Sequence, residues 1–260
     1  MGVPELSDDG AIVGGWKTRV RAIRMETTAT GGDSHVWTVD RGLHLGPRRV
    51  MPLAVAAAQY QDFLNTLKRT PMPAREDLGE NIQPTKFFVR SGYTAGEISK
   101  VESEVLGVIG DEPVSVNDIK TLIRKDLHPQ TLDSLIKKRL IQAIGFTPTD
   151  ALHVLGEYTA WNEEASRIGA ERLARLMRMT PHEFCTSVKK RVARNMSLHL
   201  LSYILQGVPH TAVEQILDGN YQAKFKLGVP VVLLGGPVRS HRKELEEFID
   251  AEIIVPEHAG

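Results

Sequence analysis

The chain has almost no cysteine: Cys185 stands alone among 260 residues. An internal disulfide is excluded, and no spaced Cys/His zinc motif can be built. It has no excess of either charge, with 32 Lys and Arg against 32 Asp and Glu. A general affinity for nucleic acid is thereby weakened, and only local basic patches remain to be weighed. It has no apolar run near the roughly 18–20 residues that a membrane-spanning helix needs. Its opening, MGVPELSDDG, is acidic and lacks the basic-then-apolar order of a secretion signal. Internal repeats and low-complexity tracts are absent too. What is present, 42% hydrophobic and 25% charged residues, is the composition of a folded globular protein. The expectation is a soluble, cytoplasmic chain with no membrane contact, long enough for one large or two ordinary domains.

The first fifty residues read as β structure. Lys17–Met25 alternates imperfectly, and Thr27–Ser34 is a loop of small residues. Ser34–Thr38 and Leu43–Leu45 are short strands joined at Asp40-Arg41-Gly42, a hairpin turn. Met51–Leu67 reads as one helix, and Thr70–Pro84, rich in Pro, Gly and charge, as a linker. Thr94 and Glu97 form a capping pattern that starts a helix running to about Ile109. Ser115 caps a second helix through Ile123, and Pro129–Arg139 carries Leu132, Leu135 and Ile136 at helical spacing. Leu140–Phe146 is an apolar strand. Three helices and a strand in this order suggest a winged helix, although the second wing strand is not visible.

The rest is mainly helical. Thr149-Asp150 caps Ala151–Gly156, Trp161–Met179 follows, and Thr180-Pro181-His182-Glu183 starts a helix that can reach Gln206. Ala212–Leu217 is a further short helix. Val229–Leu234, helix Ser240–Ile249 and strand Glu252–Val255 then predict a parallel βαβ unit whose strands are buried on both faces.

Several motifs fail on inspection. Gly10 to Thr18 nearly spells a P-loop, but Trp16 separates Gly15 from Lys17, so the ammonium and the backbone donors cannot meet one phosphate. His182-Glu183 opens HEFCT, with Thr186 where a second zinc ligand would stand. The nine histidines are scattered, so no metal site is assigned. Cys185 reads as a small buried hydrophobe. Two glycine turns are more informative. Gly31-Gly32-Asp33-Ser34 allows close backbone approach to an anion, or is simply a tight loop. Gly235-Gly236-Pro237 lies between an apolar strand and a helix, where α/β sheets bind ligands, or is a plain tight turn. Lys120, Arg124, Lys125 and Lys137-Lys138-Arg139 form one basic cluster, and Lys189-Lys190-Arg191 with Arg194 another. Each reads as phosphate-binding or as a solvated helix face.

Val13-Gly-Gly-Trp-Lys-Thr-Arg-Val-Arg-Ala-Ile23, Thr27–Val36 with its Gly-Gly-Asp-Ser, and Leu45-Gly-Pro-Arg48 together resemble the hydantoinase/oxoprolinase family. Thr147-Pro-Thr-Asp150-Ala-Leu-His-Val-Leu-Gly156 is similar to its Thr-Asp-Ala…Leu-Gly segment. Val231–Val238 and Ile253–Gly260 are similar to its C-terminal strands. The resemblance implies an α/β fold: part of an actin-like (ribonuclease H-like) ATPase lobe over 1–84 and 147–260, with a winged-helix-like α+β insertion over 88–146. It implies an ATP- and Mg²⁺-dependent hydrolase of small cyclic amides. Gly235, Gly236 and Pro237 would approach the adenosine, and Gly31, Gly32, Asp33 and Ser34 would form the glycine-rich nucleotide loop. Asp150 is a possible functional carboxylate, and no catalytic residue is identified.

The departures are equally specific. Asp-Gly-Gly-Thr, the family's phosphate loop, occurs nowhere in the chain. The expectation is therefore a C-terminal portion, inactive alone, whose partners are the remaining polypeptide with its N-terminal lobe, the cyclic amide, and a second hydantoinase-type subunit. The rival is a non-catalytic regulatory or interaction protein that uses the winged-helix-like insertion. Basic residues stand only at the C-terminal end of its third helix, which argues against DNA reading.

Overall fold

The architecture comes from a computed structural model. It describes residues 28–257 apart from 95, 126, 206 and 220–223, together with the backbone of four short strands before residue 28. Those strands are β1 (Leu6–Ser7), β2 (Ile12–Val13), β3 (Trp16–Lys17) and β4 (Ala22–Ile23), pairing β1 with β4 and β2 with β3. Gln206, His258–Gly260 and most of both the alternating segment Lys17–Met25 and the near P-loop at Gly10–Thr18 lie outside the described residues.

β5 (Ser34–Val39) and β6 (Gly42–Arg49) form the expected hairpin. Its two turn residues, Asp40 and Arg41, both have positive φ, 49° and 60°. This is the turn whose twist matches the flanking strands, built without the usual glycine. β7 (Met51–Pro52) runs directly into α1 (Leu53–Gln59), and α2 (Phe63–Arg69) follows. The single helix expected over Met51–Leu67 is thus a strand and two helices. Proline at residue 52 fits the edge of the sheet but lacks a helical N–H, and Tyr60 leaves helical geometry at φ −111°, ψ 118°.

The Thr70–Pro84 segment is packed rather than a free linker. It holds a 3-10 turn (Arg75–Asp77), a bridge between Gly79 and Ile82, and buried Asn81 and Gln83. Gln83 fastens it to the hairpin, donating from Nε2 to Thr38 O at 2.9 Å and accepting from Thr38 N at 3.2 Å.

β8 (Phe87–Arg90), α3 (Lys100–Val108), β9 (Val114–Ser115), α4 (Val116–Ile123), α5 (Pro129–Lys137) and β10 (Ile141–Gly145) come next. The cap of α3 lies five residues after Thr94, because Ser99 and Glu102 make the reciprocal capping box that Thr94 and Glu97 were expected to make. Ser115 and Asp118 cap α4 as read. The sheet order is β7-β10-β8-β9, with β7 parallel to β10 and the other pairs antiparallel. This sheet is a wall between two cores. Alternation along β8 sends Phe87 and Val89 to a core shared with Leu53, Phe63 and Phe184, and Phe88 to one shared with Ile109, Ile119 and Leu135. Side chains of alternate parity on a strand face opposite sides. Each fully buried Phe contributes roughly 2–3 kcal/mol.

α6 (Pro148–Val154), α7 (Glu163–Met177), α8 (Pro181–Ile204) and α9 (His210–Asp218) complete the helical part. Thr147, rather than Thr149, caps α6 through a box with Asp150. α8 has 24 residues, so it spans about 36 Å. Phe184 and Val188 at one end enter the first core, and Leu198 and Leu201 at the other enter a third.

That third core carries β11 (Phe225–Lys226), β12 (Val231–Val232), a 3-10 helix (Gly236–His241), α10 (Arg242–Phe248), β13 (Ile249–Asp250) and β14 (Ile253–Ile254). β11 runs parallel to β13 and β12 parallel to β14, as the βαβ reading expected. Burial on both faces is overturned. Leu233 and Ile253 point into the core, whereas Val229, Val232 and Leu234 are 59%, 51% and 69% exposed. Helices cover only one side of the two-stranded pairs, so the alternate residues meet solvent. The chain is a mixed α/β protein with small mixed sheets. Among the described residues no helix is long and apolar enough to cross a membrane.

Candidate functional site

The Gly31–Ser34 loop is organised by its serine. Ser34 Oγ donates to Ala29 O at 2.9 Å and accepts from Gly31 N at 2.8 Å. Gly32 is needed for packing: a Cβ there would lie 2.9 Å from Thr149 Oγ1. Thr149 donates to Gly32 O from Oγ1 at 2.8 Å and from its N–H at 3.1 Å. The close backbone approach expected for a ligand is therefore made to α6. Two segments that are 117 residues apart are thus joined directly. Asp33 turns away from that contact, its O accepting from Val50 N at 2.9 Å and its carboxylate 3.5 Å from Arg49 Nη1.

Asp150 is fully buried and saturated. Oδ1 accepts from Ala54 N (2.9 Å) and Ser166 Oγ (2.8 Å). Oδ2 accepts from Leu53 N (3.1 Å), Thr147 N (3.0 Å) and Thr147 Oγ1 (2.9 Å). Burial pushes its pKa up, and these donors pull it back without cancelling the rise. β7 and β10 are parallel, and α1 and α6 begin just past their ends. Such helix N-termini ordinarily suit a phosphate, but here the Asp150 carboxylate already fills that place. Cys185 is buried nearby, its thiol pushed up to about 12 by burial and by the charge of Asp150. It is inert in this setting.

Gly235 lies just beyond the C-terminal end of β12 with φ +121°, a conformation reserved for glycine. Gly236 and Pro237 open the 3-10 helix that carries Arg239, Ser240 and His241. Beside it is a hollow of about 510 Å³. Lys189, from α8, enters it nearly buried and is held by Glu157 and Glu244, each at 2.8 Å. Burial alone would lower its pKa, but the two carboxylates outweigh burial and raise it. Arg242 pairs with Glu246 at 2.9 Å. Arg239 spans to Pro256 O and Glu257 O, at 3.1 and 2.8 Å. Lys243 lines the same hollow. Buried His241 has its pKa lowered by burial and then by Lys189.

No hydrogen bond among the described residues joins this turn to the Gly31–Ser34 loop. The two are strung instead along α8, where Asn195 Nδ2 donates to Thr30 Oγ1 at 3.4 Å, six residues after Lys189. Six helical residues are about 9 Å of rise and well over half a turn of rotation. Five of the ten members of the basic clusters are tied to acids: Lys189 as above, Lys138 to Glu102, Lys125 to Glu104, Lys190 to Glu247, and Arg194 to Glu214 and Asp218.

Two features escaped sequence reasoning. One is a cleft of about 580 Å³ that Asp33 lines together with Arg49, Tyr93 and Arg139. Asp33 belongs to the glycine turn and Arg139 to a basic cluster, both visible in the sequence, but nothing local places them together. The other is a polar cluster with a buried end, Lys86 and His35, and a partly exposed end, Arg48 and Asp133. Lys86, 1% exposed, lies 3.4 Å from His35 Nδ1, and Glu80 is 3.9 Å from the same nitrogen. Arg48 reaches Glu80 at 3.3 Å and forms a bidentate pair with Asp133, which also accepts from Asn81 at 2.8 Å. Burial lowers the pKa of Lys86 to about 7, and that of His35 falls for the same reason. No described metal-binding group of three or more His, Cys, Asp or Glu exists. The chain matches no family model, no curated protein and no solved structure in the comparisons made.

Proposed function

We propose that this chain supplies the nucleoside side of a nucleotide cleft in an ATP-using hydrolase of the hydantoinase/oxoprolinase type. On this reading the two flanking segments form part of an actin-like lobe, and residues 88–146 form a winged-helix-like insertion. The observation that carries the reading is the Gly235 turn. It combines a glycine-only conformation with the C-terminal end of a parallel strand, and it leads into the 3-10 helix whose Arg239 lines a hollow with Lys243, where the two can meet an anion, although Gly235, Gly236 and Pro237 do not themselves line it. An adenosine phosphate fits that donor set. In such an enzyme ATP would phosphorylate the amide carbonyl oxygen, leaving a better electrophile for water. The residues described here would hold and orient the nucleoside. Mg²⁺ does not fit, because the described residues offer no carboxylate cluster to receive it, and no step is assigned to it. The carboxylate-bearing phosphate loops would belong to polypeptide outside this sequence, as would the cyclic-amide site.

Calorimetric titration of Mg·ATP into the chain is expected to show weak binding without turnover. Gly235→Val and Arg239→Ala should each weaken it about tenfold, the scale of one lost charge-assisted contact. Tight binding with hydrolysis would refute the incomplete-site reading, and no heat at millimolar nucleotide would remove the nucleotide itself.

The alternative, an interaction module, draws on the sheet order β9-β8-β10 beneath α3, α4 and α5. On this reading it would be a winged-helix-like arrangement whose central strand precedes the first helix instead of following the last. DNA reading is disfavoured, because Asp133 on α5 is engaged by Arg48 and Asn81. A protein contact would leave that tie intact.

A further inference from the structure

The cleft beside β10 shares no lining residue with the hollow near the Gly235 turn, and of the residues that the nucleotide reading names only Asp33 lines it. β7 pairs only with Ile144 and Gly145, the last two residues of β10. The edge at Ile141–Ala143 is left unpaired by any described strand, and the cleft occupies the space that a longer β7 would fill. Its floor is apolar: Met51 and Val55 on one side, Ile136 and Ile141 on the other. At about 580 Å³ it lies within the range that holds small organic ligands.

Its charges are sparse and lopsided. Arg49 and Arg139 line it against a single carboxylate, Asp33, giving a formal excess of one positive charge. Asp33 lies 3.5 Å from Arg49, so the guanidinium of Arg139 is the cation left over. Arg139 itself stands at φ +57°, just past the end of α5, and its carbonyl accepts from Ser91 Oγ. Tyr93, 66% exposed, offers an aromatic face at the same cleft.

We propose that this cleft is a binding site for a small organic monoanion: one carboxylate or sulfonate on a flat, largely apolar body. The anion pairs with Arg139, the body lies against Val55 and Ile141 with Tyr93 over it, and the open edge of β10 offers main-chain groups to any polar substituent. A nucleoside triphosphate, with several negative charges, is the wrong ligand for a site with an excess of one.

The test uses the intact chain and two fluorescent probes of similar apolar body, 8-anilinonaphthalene-1-sulfonate and uncharged N-phenyl-1-naphthylamine. The sulfonate is expected to saturate a single site and to bind about tenfold more tightly than the neutral probe. Arg139→Gln, at an exposed position, should remove most of that difference and leave the neutral probe unchanged. Val55→Trp should fill the cleft and suppress both, while Val232→Ser on the exposed β12 face should change neither. The proposal is overturned if the two probes bind alike in wild type, if Arg139→Gln weakens both equally, or if the signal follows Val232. Saturating Mg·ATP should leave the sulfonate bound. Its displacement would place both ligands in one cleft and refute the separate site.

Discussion

Replacing Asp150 separates a structural carboxylate from a reacting one. In Asp150→Asn the side chain keeps its shape. If the amide oxygen takes the place of Oδ2, the bonds from Leu53 N, Thr147 N and Thr147 Oγ1 survive. The new NH₂ then faces Ala54 N and Ser166 Oγ. The serine hydroxyl can turn to accept, but the Ala54 N–H cannot, so one buried donor is orphaned and the charge on the others is lost. A buried unsatisfied group costs about 1–3 kcal/mol, and neutralising charge-assisted bonds adds to that, so about 2–4 kcal/mol is expected. Asp150→Ala strips all five donors at once and should cost about 4–5 kcal/mol. For a chain of this size 1 kcal/mol moves the melting temperature by about 2–4 °C, so the asparagine variant should melt roughly 4–16 °C lower. Urea unfolding followed by far-ultraviolet circular dichroism measures both. An asparagine variant as stable as the parent within about 0.5 kcal/mol, yet lacking ligand binding, would refute the structural assignment.

Four other perturbations test the packing. Burial holds Lys86 near 7, below its ordinary 10.5, so the folded state releases this proton first. Stability should rise with pH between about 7 and 10.5, and the slope should vanish in Lys86→Met, which should be no less stable at pH 7. Gly169→Ala forces a Cβ into Leu53 Cδ1 and to 2.9 Å from Phe146, and should cost about 2–3 kcal/mol in urea unfolding. Gly107→Ala, in open space on α3, should instead stabilise by about 0.5–1 kcal/mol. Cys185, buried with its thiol raised to about 12, should resist a disulfide reagent in the native chain and react only on unfolding.

Local chemistry was legible where it is self-contained. Ser115 with Asp118 and Thr180 with Glu183 cap their helices as read, because each box closes within four residues. The parallel pairing of β12 and β14 followed from apolar strands flanking a helix. The Thr94 start failed because a second box, Ser99 with Glu102, lies five residues further on and gains Ser134 and Lys138 as partners of Glu102. The Met51–Leu67 helix failed because Pro52 joins the sheet, which depends on a strand 90 residues later. Gly32, expected to approach a nucleotide, and Asp150, a possible functional carboxylate, meet Thr149 and the N-terminus of α1, partners too distant in sequence to be read locally. The cleft was invisible for the same reason, since Asp33, Val55, Tyr93 and Arg139 meet only once the sheet exists.

The wall formed by β8 and β10 has a consequence for how the chain opens. A boundary drawn at residue 88 looks natural in the sequence, yet Phe87 and Phe88, on either side of it, are both fully buried in different cores. Cutting there would bare one core to water and strand Asp133 without Arg48 and Asn81. The two halves flanking the sheet should therefore lose their structure in one transition, and the amides of Phe87–Arg90 and Ile141–Ile144 should exchange with solvent only in that common event. What reads as an inserted module is in energetic terms a shared partition, which neither side can give up alone.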